Sequence, residues 1–133
     1  MPKFLLNKLV RDKLKDVYVK LDQSATYREL DDEQYKQELL KKIKEEVDEL
    51  AQAALGDQAT ELADIMQVLQ DFMTMHSISP KVVEKLRQDK LCQKGGFAGR
   101  TFVKSLELKN DDVWVKYYRA EPKKYEELPD LRA

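Results

Sequence analysis

The chain has 133 residues, enough for one domain with a real core and too few for two comfortable ones. Hydrophobic residues make up 42% and charged residues 37%, a globular composition with a heavily charged exterior that excludes intrinsic disorder. Lys plus Arg is 24 against 25 for Asp plus Glu, and this net charge of −1 argues against a nucleic-acid partner held by bulk electrostatics. Four Gly and four Pro are too few for an all-β protein rich in tight turns. The single Cys92 cannot form an intrachain disulfide and suits a reducing compartment. The start leads into no apolar signal-like run, and no stretch approaches the roughly 20 apolar residues of a membrane span. A cytoplasmic protein with no membrane association is expected.

Lys3 to Gln23 is basic and periodic. Leu9, Val10, Leu14, Val17 and Leu21 fall near helical spacing, so a helix covers at least part of it. Ala25 to Leu30 reads as an extended link. Asp31 with Gln34 three residues on forms a capping-box pattern, and it opens a long helix over about Asp32 to Leu55. Leu39, Leu40, Ile43, Val47, Leu50 and Ala54 make an apolar stripe along it. Gly56 is placed to end the helix in the left-handed conformation. Asp57 is placed to cap a second helix, about Gln58 to His76, and so short a link makes the two helices antiparallel neighbours. Ser79-Pro80 signals a third helix, to about Gln93, with Val82, Val83, Leu86 and Leu91 facing inward. Gly95-Gly96 breaks the chain. Thr101 to Leu108 and Val113 to Arg119 are strand-like runs around Asn110-Asp111-Asp112 and predict a small hairpin. A charged, Pro-interrupted tail follows from Glu121. The fold class is therefore all-α, an antiparallel helical bundle with a small C-terminal β-hairpin or extended tail. The expected organisation is a helical domain over residues 1–103 and an extension over 104–133.

The informative residues sit on the central helical pair. Glu46 and Glu49 are three apart and share a face, and Glu61 and Asp64 repeat the spacing on the second helix. If the chain turns at Gly56-Asp57, position 49 lies level with about position 64. All four carboxylates then fall within roughly 10 Å, at about 1.5 Å rise per residue. Glu61 and Asp64 share a side with the apolar Ile65, Val68 and Phe72, so the acids point towards a partly enclosed space. Enclosed, unneutralised carboxylates cost several kcal/mol each or titrate to neutral. A hard divalent ion removes that cost, with Mg²⁺ favoured and Mn²⁺ tolerated. A single E-x-x-E is more simply a solvated face with pairs such as Lys42 and Glu46. Two acidic pairs in matched register on adjacent helices favour metal. A di-iron bundle needs Glu-x-x-His pairs, and the only histidine, His76, follows neither acidic pair at that spacing.

Glu45-Glu46-x-x-Glu49 followed by Glu61-x-x-Asp64 resembles the E-E-x-x-E…E-x-x-D signature of the all-α nucleoside triphosphate pyrophosphohydrolases. That superfamily includes MazG-like enzymes, dimeric dUTPases and phosphoribosyl-ATP pyrophosphohydrolases. Asn7-Lys8-Leu9-Val10-Arg11-Asp12-Lys13 and Lys94-Gly95-Gly96-Phe97 resemble two stretches of a small MazG-like, phosphoribosyl-ATP pyrophosphohydrolase-like subgroup. The entry Tyr27-Arg28-Glu29-Leu30-Asp31-Asp32 is similar too. The resemblance spans about residues 4 to 103. It implies hydrolysis of a nucleoside triphosphate to the monophosphate and pyrophosphate, as a house-cleaning activity. It also implies that Glu46, Glu49, Glu61 and Asp64 ligate Mg²⁺ and that Glu45 is the base that activates water. Lys8, Arg11, Lys13, Lys94 and Arg100 lie in the matched stretches and are the candidates to hold phosphates. A homodimer or homotetramer is expected. The rival readings keep the fold but act on phosphoribosyl-ATP or dUTP, or make the chain a non-enzymatic helical scaffold.

Overall fold

A computed structural model describes residues 1–130. Among these the regular structure is entirely helical: α1 (Leu14–Lys20), α2 (Asp32–Gln52), α3 (Gln58–Met75), α4 (Pro80–Lys94) and α5 (Trp114–Arg119). The chain divides into two compact units, Met1–Lys94 and the part from Gly95 onward. None of the described helices is long and apolar enough to cross a membrane.

The first unit is organised by one helical hairpin. α2 starts where the capping box predicts. Gln34 N donates to Asp31 Oδ1 at 2.8 Å, and Asp31 N donates back to Gln34 Oε1 at 3.5 Å, so two backbone donors at the helix start are satisfied. α2 ends at Gln52, three residues earlier than the apolar stripe suggests, because Ala53 adopts extended backbone (φ −64°, ψ 140°). Gly56 does not take the left-handed conformation expected of it; the positive-φ glycine is Gly95, at φ 78°. The link instead tightens through Asp57 N donating to Ala54 O at 2.9 Å. Asp57 occupies the N-cap of α3, but its side chain makes no capping hydrogen bond. The short link brings α3 back along α2, and these two helices form the main helix pair of the unit.

The buried centre of this hairpin is small. Leu39 on α2 and Val68 on α3 are its buried apolar residues, flanked by the half-buried Ile43, Leu50, Ile65 and Phe72. Leu40 and Val47, placed on the predicted stripe, are 41% and 48% exposed. The hairpin has only one partner surface per helix, so the edges of a wide apolar stripe stay in water. α4 starts at Pro80 as its signal predicts, with Ser79 O accepting from Val82 N and Val83 N. Its expected inward face is not buried. Val82, Leu86 and Leu91 are each at least half exposed, and Val83 alone is half-buried. No other helix of the unit packs against α4 as α2 packs against α3.

The segment before α2 is mostly irregular. Helix is confined to Leu14–Lys20, and residues 1–13 are irregular, with a turn at their end and with Leu9 and Val10 half-buried.

In the second unit the predicted β-hairpin does not form. Residues 101–109 carry no regular structure, and Val113 to Arg119 is α5 with its entry turn. The cause is local. Asp112 Oδ1 captures Trp114 N at 2.8 Å, and Val115 N bonds back to Asp112 O at 3.1 Å, which starts a helix where a strand would need free backbone. The helix then places Trp114 and Tyr117 one turn apart, edge to face at 5.2 Å, and Tyr118 edge to face with Tyr125 at 4.9 Å. The charged tail is described as far as Asp130, and its last three residues lie outside the described residues.

Leu39 is 2% exposed and sits where α2 meets α3. Leu39→Ala is expected to lower the free energy of unfolding by about 2–5 kcal/mol in urea titration, the range for cavity-forming core truncations.

Candidate metal centre and active site

The acids of the hairpin converge. Glu46, Glu61 and Asp64 each present a carboxylate oxygen within 4.8 Å of the others, and Glu45, Glu46 and Glu49 do the same. Glu46 belongs to both groups, so the five carboxylates form one continuous cluster across α2 and α3. The register follows from the short link, and the facing follows from the i,i+3 spacing within each helix.

Glu46 is the centre in burial as well as in position. It is 5% exposed, level with the apolar core. Its Oε2 has no hydrogen-bond partner, and neither has the buried Glu61 Oε2. Buried carboxylate oxygens left without donors are rare because the desolvation is uncompensated. Burial, then the charge and hydrogen bond of Glu49, push the Glu46 carboxyl above its ordinary value, against the pull of Lys42. Glu61 rises to about 7, through burial first and then hydrogen bonds and charge shared with Glu49 and Glu46. Crowded oxygen donors with orphaned lone pairs match what a hard divalent ion requires, so the residues present fit a metal.

Three cations border the cluster. Lys42 Nζ lies 3.5 Å from both Glu45 Oε1 and Glu46 Oε1. The Lys42–Glu46 pair allowed for on a solvated face thus exists, but away from solvent, with the lysine side chain 19% exposed and the glutamate 6%. Lys8 Nζ stands 3.7 Å from Glu45 Oε1. Arg11 Nη2 donates to Asp64 Oδ1 at 2.5 Å. Of the residues predicted to hold phosphates, Lys8 and Arg11 are therefore beside the acids. Lys13 is the exposed N-cap of α1 and Lys94 the exposed last residue of α4, and among the described residues no ion pair joins either to the cluster. Arg100 belongs to the second unit, exposed and at φ 57°. Lys42 was absent from the predicted site. Its signal was in the sequence, since a lysine three and four residues before Glu45 and Glu46 must share their face. His76 is the C-cap of α3, its ring centroid 4.4 Å from that of Phe72.

Residues 13–90 match the family model described as phosphoribosyl-ATP pyrophosphohydrolase. The chain belongs to this family. No curated protein and no solved structure gives a match. Family membership makes the chain a pyrophosphohydrolase, a hydrolase of acid anhydrides acting on nucleotide-like substrates. It bears out the resemblance read from the two acidic pairs, which both lie inside the matched residues.

The raised carboxyls make metal-free stability depend on pH. The folded state binds protons at Glu46 and Glu61 more tightly than the unfolded chain, whose carboxyls titrate near 4.5. This contribution is full below that value and is lost as pH rises to about 7. Without divalent ions the thermal midpoint should fall across this window, Glu61→Gln should flatten the fall, and Mg²⁺ should recover the midpoint at the alkaline end. A wild-type profile no steeper than that of Glu61→Gln would contradict the electrostatics.

Proposed function

We propose that the chain is a Mg²⁺-dependent nucleoside triphosphate pyrophosphohydrolase that releases a nucleoside monophosphate and pyrophosphate, with Mn²⁺ as a working substitute. The observation that carries this reading is the buried Glu46 carboxylate, short of hydrogen-bond donors and ringed by Glu49, Glu61 and Asp64. In this reading those four residues hold the metal. When bound, a divalent cation supplies charge neutralisation for the phosphates and for the charge that builds during transfer.

The chain's own residues then divide the work. Glu45 has its lysine neighbours on Oε1, which leaves Oε2 to accept a proton from water as it adds to phosphorus. The bridging bond between the α and β phosphates breaks, and pyrophosphate departs with the electron pair. Lys8 and Arg11, which reach the acids from the chain ahead of α1, hold the phosphate oxygens in line. Lys13 and Lys94 stay candidates for further phosphate contacts through the two stretches that carry the resemblance. A phosphoribosyl-ATP substrate would be cut at the equivalent bond, so the acids do not distinguish the two.

The proposal includes a homo-oligomer. Leu62, Met66 and Leu69 recur at helical spacing along α3 and are 50%, 69% and 40% exposed, although the same helix buries Val68 against α2. A helix apolar on two sides needs two partners, and the described chain supplies one. A second copy is the simplest cover, and further copies would make a tetramer.

The deciding assay is a panel of natural and modified nucleoside triphosphates with Mg²⁺, alongside phosphoribosyl-ATP and dUTP, with monophosphate and pyrophosphate scored separately from diphosphate and phosphate. Glu46→Ala and Asp64→Ala should each abolish turnover while circular dichroism still reports the helices. Turnover retained in both variants would reject the ligand set. Met66→Glu should shift the mass measured by light scattering towards the monomer, and an unchanged assembly would place the interface elsewhere.

A further inference from the structure

Arg11 has two claims on it. Its motif assigns it to substrate phosphates, yet its guanidinium donates to Asp64, one of the proposed metal ligands, at 2.5 Å. The contact joins residues 53 positions apart and ties the N-terminal segment to α3. The anchoring of Arg11 is uneven. Its carbonyl accepts from Leu14 N at 3.0 Å at the entry to α1, and Leu9 and Val10 before it are half-buried, so its backbone is held. Its side chain is 62% exposed, with most of its donors in water and room to swing.

Charge arithmetic adds a constraint. In the cluster the carboxylates of Glu45, Glu46, Glu49, Glu61 and Asp64 face Lys8, Arg11 and Lys42, five negative charges against three positive. A divalent ion entering beside Asp64 meets a guanidinium already seated on Oδ1. Two cations on one carboxylate repel, most strongly where the site is half shielded from water. A phosphate chain carries more charge than one carboxylate and takes the same fork of donors.

We propose that Arg11 is a displaceable counter-ion: it neutralises Asp64 while the cluster holds no metal, yields that carboxylate to the incoming cation, and turns the freed guanidinium to the substrate's phosphates. This inference rests on the metal and substrate reading above. It makes Arg11 a positioning residue that couples the two binding events. Metal entry prepares the phosphate subsite, and a bound phosphate, by drawing Arg11 off Asp64, tightens the metal in return. Lys8 and Glu45 form a longer and weaker version of the same pair, at 3.7 Å.

The experiment is calorimetric titration of the full chain with Mn²⁺ alone, wild type against Arg11→Gln, with metal-free thermal midpoints measured in parallel. The variant should bind Mn²⁺ about two- to fivefold more tightly, the range for losing one competing exposed ion pair, and should melt lower without metal. Unchanged or weaker Mn²⁺ binding would overturn the exchange and make Arg11 a fixed support that orients Asp64. A second measurement needs no variant. In wild type the Arg11 side-chain ¹⁵N–¹H heteronuclear NOE should fall as Mg²⁺ is added, and an NOE that stays constant through saturation would overturn the proposal. Absence of Mn²⁺ binding by the wild type would instead remove the metal reading, and the exchange with it.

Discussion

The constraint on which the rest depends is a carboxylate in the core. Glu46 lies as deep as Leu39 and Val68, and its Oε2 has no donor. An unpaired buried charge costs more than most single contacts supply, so it persists only where something else removes the charge. Three neutralisers are in reach. A proton serves at low pH. Lys42 serves in part, but at 3.5 Å it is shared with Glu45. A divalent cation serves fully, and it alone also satisfies the crowded oxygens of Glu49, Glu61 and Asp64 at once. In the reading proposed above, the fold tolerates Glu46 for the sake of a cation, which accords with the pyrophosphohydrolase family to which the chain belongs.

Much of this was legible in the sequence because it depends on short-range periodicity. The i,i+3 acids set the faces, a short link read at Gly56-Asp57 sets the register, and Asp31 with Gln34 sets where α2 begins. What escaped was decided by contacts that periodicity does not encode. Val113 to Arg119 has the β-branched and aromatic composition of a strand, yet Asp112 Oδ1 accepts from Trp114 N and the tyrosines find each other around a helix. Gly56 looked like a left-handed terminator, but the helix had already ended at Gln52. The apolar face of α4 was read as inward, although periodicity states only that a face exists, never that the same chain covers it.

The exposed apolar residues and the small core are one fact seen from two sides. A single hairpin can bury one stripe per helix, and the three helices α2, α3 and α4 carry more than that. The acids lie on α2 and α3, which leave apolar residues bare just as α4 does. In the assembly proposed above, packing of a second copy would also stiffen the helices that hold the carboxylates, so catalytic geometry and oligomerisation would draw on the same surfaces.

The site also separates its tasks by type of scaffold. The acids stand on two paired helices, where spacing is rigid and tolerances are small, as oxygen ligands of a hard ion require. Of the cations beside the acids, Lys42 shares α2 with them, whereas Lys8 and Arg11 stand on irregular chain ahead of α1. Loops change shape and sequence at less cost to stability than a packed hairpin does. A family built this way can keep one anhydride-cleaving centre and change what it accepts by altering the loops. In the proposed reading the acidic pairs carry the reaction, and the chain around them selects the base on the nucleotide.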